Sequence, residues 1–187
     1  MSRGRWIALG LFALLTIASH VMAALEPDQT ASLAALKTEG DIAYEERRWF
    51  DAANAWRGAF ALEAPVADRN RYRAMLALQI GRALARESLR DERPRYSAFH
   101  ARNARIWFGE AVRIHPRSTY TAWYDLGRLR EDHPVPSQRD VMKADAAYQR
   151  FLDERPKDVD EATAARDQKI VEEIERRRAL RNAQGDG

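Results

Sequence analysis

One short pattern occurs three times in this chain and limits the folds open to it. A small residue is followed four positions later by an aromatic residue, and a proline follows the aromatic by eight or nine positions. Upstream of each copy lies a helix-like stretch with one glycine. Because residues four apart share a helix face and proline ends a helix, each copy predicts a helix packed against the one before it. The copies are Gly40–Ala52–Trp56–Pro65, Gly81–Ala104–Phe108–Pro116 and Gly127–Ala144–Tyr148–Pro156.

The rest of the sequence also indicates helices. Ala, Leu, Arg and Glu are abundant, and no Asn-Gly or Asp-Gly turn joins two alternating runs. Ser118, Ser137 and Asp158 are the expected N-caps, the last of them in a capping box with Glu161. The predicted helices span about 30–46, 50–63, 69–90, 96–114, 118–131, 138–153 and 159–182.

This arrangement resembles the tetratricopeptide repeat (TPR) family, in which pairs of antiparallel helices stack side by side. The resemblance covers about residues 32–157 and implies an all-α fold of three helical hairpins stacked as a short right-handed solenoid. In such units glycine and alanine let two helices approach, and the aromatic side chain fills the space between them. The last predicted helix has an acidic start and a basic end, which complement the helix dipole. It is expected to cap the solenoid; the alternative is a partner-binding helix.

The copies depart from the family's period of about 34 residues. The spacing from glycine to alanine is 12 residues in the first copy, 23 in the second and 17 in the third. The second copy therefore carries about 11 extra residues around Asp91–Arg95, and the third about 5 around His133–Ser137. These insertions predict either longer helices or loops at the hairpin tips.

The first 23 residues have the layout of a secretory signal peptide. Arg3 and Arg5 precede an apolar run over Ile7–Ala18, and small residues at Val21 and Ala23 suit cleavage before residue 24. The alternative is an uncleaved inner-membrane anchor over residues 6–25, about the length that spans a bilayer. The chain is therefore expected to be periplasmic or secreted. Its predicted divisions are 1–23 (signal segment), 24–157 (three hairpins) and 158–187 (capping helix and tail).

Composition excludes several classes of function. The 187 residues carry 31 Lys and Arg against 28 Asp and Glu, a formal charge of +3. Removal of residues 1–23 takes away two arginines and leaves +1, which argues against a nucleic-acid partner. The chain has no Cys, and this excludes disulfides, thiolate zinc sites and cysteine catalysis.

The sequence contains no catalytic, cofactor or metal motif. His100, His115 and His133 are far apart, lack paired-ligand spacing, and are interpreted as surface residues. There is no GxSxG elbow and no Gly-rich phosphate loop. We therefore predict a protein that is not an enzyme and has no cofactor. An enzyme with a site assembled only by folding is the remaining alternative.

The predicted function is binding of a protein or peptide, as an assembly factor or scaffold for an envelope complex or enzyme. The alternative is a stable structural subunit of such a complex. By the resemblance, the first helix of each unit lines a concave face that binds peptides. Guanidinium groups suit bidentate capture of carboxylates, so we expect a basic groove for an acidic or C-terminal segment, flanked by Tyr44 and Tyr124. The predicted groove residues are Lys37, Asp41, Tyr44, Glu45, Arg82, Arg86, Tyr124, Arg128 and Glu131.

Overall fold

The computed structural model describes residues 29–62 and 67–185, and the predicted signal segment 1–23 lies outside them. The described residues contain eight α-helices, one 3-10 turn and no strand, which confirms the all-α prediction. The predicted helix over 118–131 is divided at Tyr120 into α5 and α6. The helices are α1 (29–45), α2 (Trp49–Ala61), α3 (Arg69–Arg90), α4 (Pro94–Ile114), α5 (Pro116–Thr119), α6 (Thr121–Glu131), α7 (Val141–Glu154) and α8 (Glu161–Gly185).

Helices pack as antiparallel pairs, α1 with α2, α3 with α4, and α6 with α7. In each pair a glycine of the first helix faces an aromatic side chain of the second. An added Cβ would lie 2.3 Å from Trp56 at Gly40, 2.7 Å from Phe108 at Gly81, and 2.3 Å from Tyr148 at Gly127. These distances are too short for any larger residue without movement in a close-packed interior. In all three pairs the two helices therefore approach closely at the glycine, with the aromatic side chain between them, as the sequence pattern predicts.

The core is continuous along the first two pairs and α6. Ala52, Ala104 and Phe108 are buried members of this core. A second, smaller cluster joins the third pair to α8. It contains Tyr120, Ala144, Tyr148, Phe151 and Ile174.

The two long hairpins use their extra residues differently. In the second pair the insertion lengthens the helices: α3 has 22 residues, α4 has 21, and only residues 91–93 connect them. In the third pair the insertion is a loop over 132–140 that contains the 3-10 turn Pro136–Gln138. The sequence left both outcomes open.

Two of the histidines interpreted as surface residues are buried, so that interpretation is wrong for them. His133 has no exposed surface; its Nδ1 accepts a hydrogen bond from the Val135 backbone N at 3.1 Å, and its Nε2 lies 3.4 Å from Ser97 Oγ. His133 thereby links the loop of the third pair to α4. His100, on α4, is 7% exposed.

The predicted N-caps are also wrong, because neighbouring residues accept the helix-start hydrogen bonds. Asp140 caps α7, accepting from the Lys143 backbone N at 2.9 Å, while Ser137 lies within the 3-10 turn. Asp160 precedes α8 and accepts from the Thr163 backbone N at 2.9 Å, in place of the Asp158 capping box. Ser118 lies inside α5, which is capped by the side chain of His115.

Helix α8 packs against the third pair. Ile174 is its fully buried side chain, Ile170 and Val171 pack beside it, and Asp167 accepts a hydrogen bond from the Tyr120 hydroxyl at 2.7 Å. Arginines of α8 also pair with acidic residues of α6 and α7. Among the residues that the structure describes, no helix is long and apolar enough to cross a membrane.

Candidate binding site

The first helices of the three pairs enclose a cavity of about 360 Å³. Four of the predicted groove residues line it, namely Tyr44 from α1, Arg82 and Arg86 from α3, and Arg128 from α6. The two arginines of α3 point into the same space because they lie one helical turn apart. The cavity is also lined by Ala85, Leu89, Phe108, Asp125, Leu129 and Asp132.

A neighbouring cavity of about 400 Å³ lies between α1 and α3 and shares Tyr44 and Arg82 with the first. It brings in three more of the predicted residues, Lys37, Asp41 and Glu45. Lys37 and Asp41 form an ion pair at 2.5 Å. Asp41 also accepts a hydrogen bond from the Trp56 indole at 3.2 Å, so its carboxylate is already occupied by the protein.

Two of the three cavity arginines are neutralised by carboxylates. Arg82 donates to Asp125 at 2.7 Å and to Thr121 at 3.2 Å. Arg128 lies 3.5 Å from Asp132. These pairs hold the guanidinium groups in place, and they reduce the positive charge available to a ligand.

Arg86 has different partners from Arg82 and Arg128. Its Nε donates to the Tyr44 hydroxyl at 2.8 Å, and its guanidinium carbon lies 5.6 Å from the Tyr44 ring and 5.2 Å from the Trp49 ring. Within residues 29–62 and 67–185 it forms no ion pair with a carboxylate. Aromatic faces attract and orient a guanidinium without neutralising its charge, so Arg86 retains donors for an anionic ligand.

The remaining predicted residues, Tyr124 and Glu131, lie apart from this cavity and under α8. Glu131 accepts hydrogen bonds from the Tyr148 hydroxyl at 2.7 Å and from Arg177 at 3.0 Å, and it also pairs with Arg181. Burial would raise the pKa of Glu131, but the hydrogen bonds from these three residues outweigh burial and lower it. Burial raises the pKa of Tyr124. Helix α8 therefore covers the side of α6 where the sequence predicted the end of the groove.

The sequence also missed a group of side chains at the tip of the second pair. Phe50, Tyr96, Phe99 and His100 line a cavity of about 600 Å³, and His100 lies next to the carboxylates of Glu87 and Asp91. No sequence motif marks these residues because they come from three helices. Glu87 and Asp91 are one helical turn apart, and this spacing alone indicates that the two carboxylates lie on the same side of α3.

Comparison with known proteins gives no family assignment. No protein-family model matches the chain, and no curated protein matches it. The function of this site is therefore inferred from its geometry alone.

Proposed function

We propose that this chain is a TPR-like interaction protein of the bacterial envelope. It binds the C-terminal or acidic segment of a partner and assists or scaffolds assembly of an envelope complex or enzyme. The three glycine–aromatic contacts and the antiparallel pairs support a stacked-hairpin solenoid closed by α8. The signal-like pattern of residues 1–23 supports export.

The observation that carries the proposal is the environment of Arg86. Its charge has no carboxylate partner within the described residues, and the Tyr44 hydroxyl and the Trp49 ring fix its orientation. A carboxylate that enters the cavity would form charge-assisted hydrogen bonds with a guanidinium that is already positioned. Preorganisation of this kind lowers the entropic cost of binding.

The composition of the cavity favours a single carboxylate over an acidic run. Asp125 and Asp132 would repel further negative charge, whereas the terminal carboxylate of a chain brings one. Ala85 and Leu89 line the same cavity, and Leu89 is 44% exposed. They offer apolar contact to the last side chain of the ligand, so a segment with an apolar C-terminal residue fits best.

A display library of random C-terminal peptides tests this proposal. Selected peptides are expected to lose binding when the terminal carboxylate is amidated, and to bind Arg86→Gln at least tenfold more weakly. Arg102→Gln removes an exposed arginine of α4 and serves as the matched control with unchanged binding. Selection of no peptide, or of peptides that tolerate both amidation and Arg86→Gln, would contradict the proposal.

The biological role is tested by capture from an envelope fraction. An assembly factor is expected to retain its partner substoichiometrically and to release it when Arg86 is replaced. A partner that copurifies in a fixed ratio and survives the Arg86→Gln substitution would instead indicate a structural subunit.

A further inference from the structure

Three side chains with metal-ligand chemistry meet at the tip of the second helical pair. Glu87 is in the last turn of α3, Asp91 directly follows that helix, and His100 is in the second turn of α4. One donor atom from each residue lies within 4.8 Å of the donors of the other two. The cluster lies next to the arginine cavity on α3, since Arg86 and Leu89 line that cavity, but it presents anionic and neutral donors instead of cations.

The buried imidazole of His100 has one ring nitrogen without a hydrogen-bond partner. The residue is 7% exposed, and its Nδ1 is buried without a hydrogen-bond partner. Buried polar atoms in proteins are nearly always paired, so such an exception calls for an explanation. The rings of Phe50 and Phe99 pack edge-on against the imidazole at 5.4 and 5.5 Å and restrict its orientation.

We propose that Glu87, Asp91 and His100 bind a divalent transition-metal ion such as Zn²⁺. One imidazole nitrogen and two carboxylate oxygens are ligands that Zn²⁺ accepts, and three protein ligands leave a fourth position for water. Mg²⁺ and Ca²⁺ prefer sites made of oxygen alone. Among divalent ions, Mn²⁺ and Fe²⁺ bind such mixed sites more weakly than Zn²⁺.

Only small movements are needed to close the site. Tetrahedral ligands at the usual Zn–N and Zn–O lengths stand about 3.4 Å apart, so donors that lie within 4.8 Å of one another need to approach by at most about 1.4 Å through side-chain rotation. Glu87 has the rotatable bonds for this movement. Glu87 and His100 also line the open cavity of about 600 Å³, which gives the ion a route from solvent.

Arg93 would compete with a metal ion for the carboxylate of Asp91. Its guanidinium donates to both oxygens of Asp91, at 2.9 and 3.0 Å, and its backbone N donates to Oδ1 at 3.0 Å. The Arg93 side chain is 70% exposed and can leave the carboxylate without disturbing the core. Removal of this side chain would free one face of Asp91 and take away a repelling charge.

Titration calorimetry of the untagged mature chain with ZnCl₂ alone tests the proposal. One ion is expected to bind per chain. Affinity should fall at least tenfold in Glu87→Gln, which keeps the shape of the side chain and removes its charge, and should rise in Arg93→Ala. Glu92→Gln removes an exposed neighbouring carboxylate and is the matched control with unchanged affinity.

Several results would overturn the assignment of this metal site. They are no saturable binding of Zn²⁺, binding that Glu87→Gln and Glu92→Gln weaken equally, and preference for Mg²⁺ or Ca²⁺ over Zn²⁺. Asp91→Asn provides a second ligand variant, and its circular dichroism spectrum shows whether the hairpin tip remains folded. Retention of full Zn²⁺ affinity by a folded Asp91→Asn protein would also contradict the assignment.

Discussion

The second and third helical pairs use the same contact, yet their surroundings differ. In the second pair Phe108 lies against Gly81 within the large apolar core, with helices of the first and third pairs nearby. In the third pair Tyr148 lies against Gly127, and its hydroxyl binds Glu131, which α8 reaches with two arginines. A pair in the middle is stabilised by apolar packing on both sides. The last pair is closed by α8, which combines a small apolar cluster around Ile174 with ion pairs to Glu131.

The largest loss of stability is expected from a substitution in the second helical pair. Phe108→Ala should reduce the free energy of unfolding by about 3–5 kcal/mol, because it opens a cavity beside Gly81 in the shared core. Urea unfolding followed by circular dichroism measures this loss. The transition should remain cooperative, since Phe108 contacts the cluster that joins the pairs. A loss below about 1 kcal/mol would mean that the core can collapse around the cavity.

Loss of an ion pair between α8 and the third pair should lower the free energy of unfolding by less, but still substantially. Arg177→Met keeps a long apolar side chain but removes the guanidinium that pairs with Glu131 and Asp132. The Arg177 side chain is only 16% exposed in the folded protein. We expect a loss of about 2–3 kcal/mol, the cost of unpairing charge-assisted hydrogen bonds at a half-buried site.

Arg113→Met is the matched control for this substitution. Arg113 pairs with Glu110 at 2.6 Å on the surface of α4, but its side chain is 70% exposed. Such pairs contribute less than about 0.5 kcal/mol. Equal losses in the two variants, measured by thermal unfolding, would show that burial does not distinguish the two regions.

Acid should weaken the third pair by protonating Glu131. Its pKa is lower in the folded protein than the ordinary value of 4.5, because the hydrogen bonds outweigh the effect of burial. The ionised carboxylate therefore stabilises the fold fully above about pH 4.5, and this stability is lost as pH falls through the lowered pKa. The effect is smaller than that of Arg177→Met because Arg177 keeps its ion pairs with Asp132 and Glu173. Melting temperatures of the wild type and Glu131→Gln between pH 6 and 3 should converge, and parallel curves would contradict this mechanism.

The smallest effect should follow removal of one hydroxyl. Tyr148→Phe keeps the ring against Gly127 and deletes the hydrogen bond to Glu131, while the arginines remain bound to that carboxylate. We expect a loss of about 1 kcal/mol in thermal unfolding. No loss would mean that the two arginines satisfy Glu131 completely. A loss as large as that of Phe108→Ala would mean that the third pair depends on its hydroxyl for packing.

Periodicity predicted most of the fold but not the details of its polar contacts. The spacing from alanine to aromatic residue is constant and a glycine precedes each copy, so the close approach of α3 and α4 at Gly81 and Phe108 could be predicted from sequence. The N-caps could not, because several Ser and Asp residues compete at each helix start and backbone geometry selects Asp140 and Asp160.

The candidate site was predictable in part for a similar reason. Tyr44, Arg82, Arg86 and Arg128 follow from their positions on the first helix of each pair, and the structure brings them to one cavity. The position of α8 over Glu131 depends on long-range ion pairs that have no sequence period. His100 was interpreted as a surface residue because a lone histidine carries no pattern, and only folding sets it beside Glu87.

The pairing of helices with their neighbours along the chain also affects how the protein folds. Extensive contacts join α2 to α3, α3 to α4, and α6 to α7, so most of the core forms between segments close in sequence. Contacts between segments close in sequence have a small loop-closure cost, which favours rapid formation of the hairpins. Contacts between pairs and with α8 join segments farther apart, as in Arg82 with Asp125 across 43 positions and Arg177 with Glu131 across 46. The hairpins are therefore expected to form before they dock on one another and on α8.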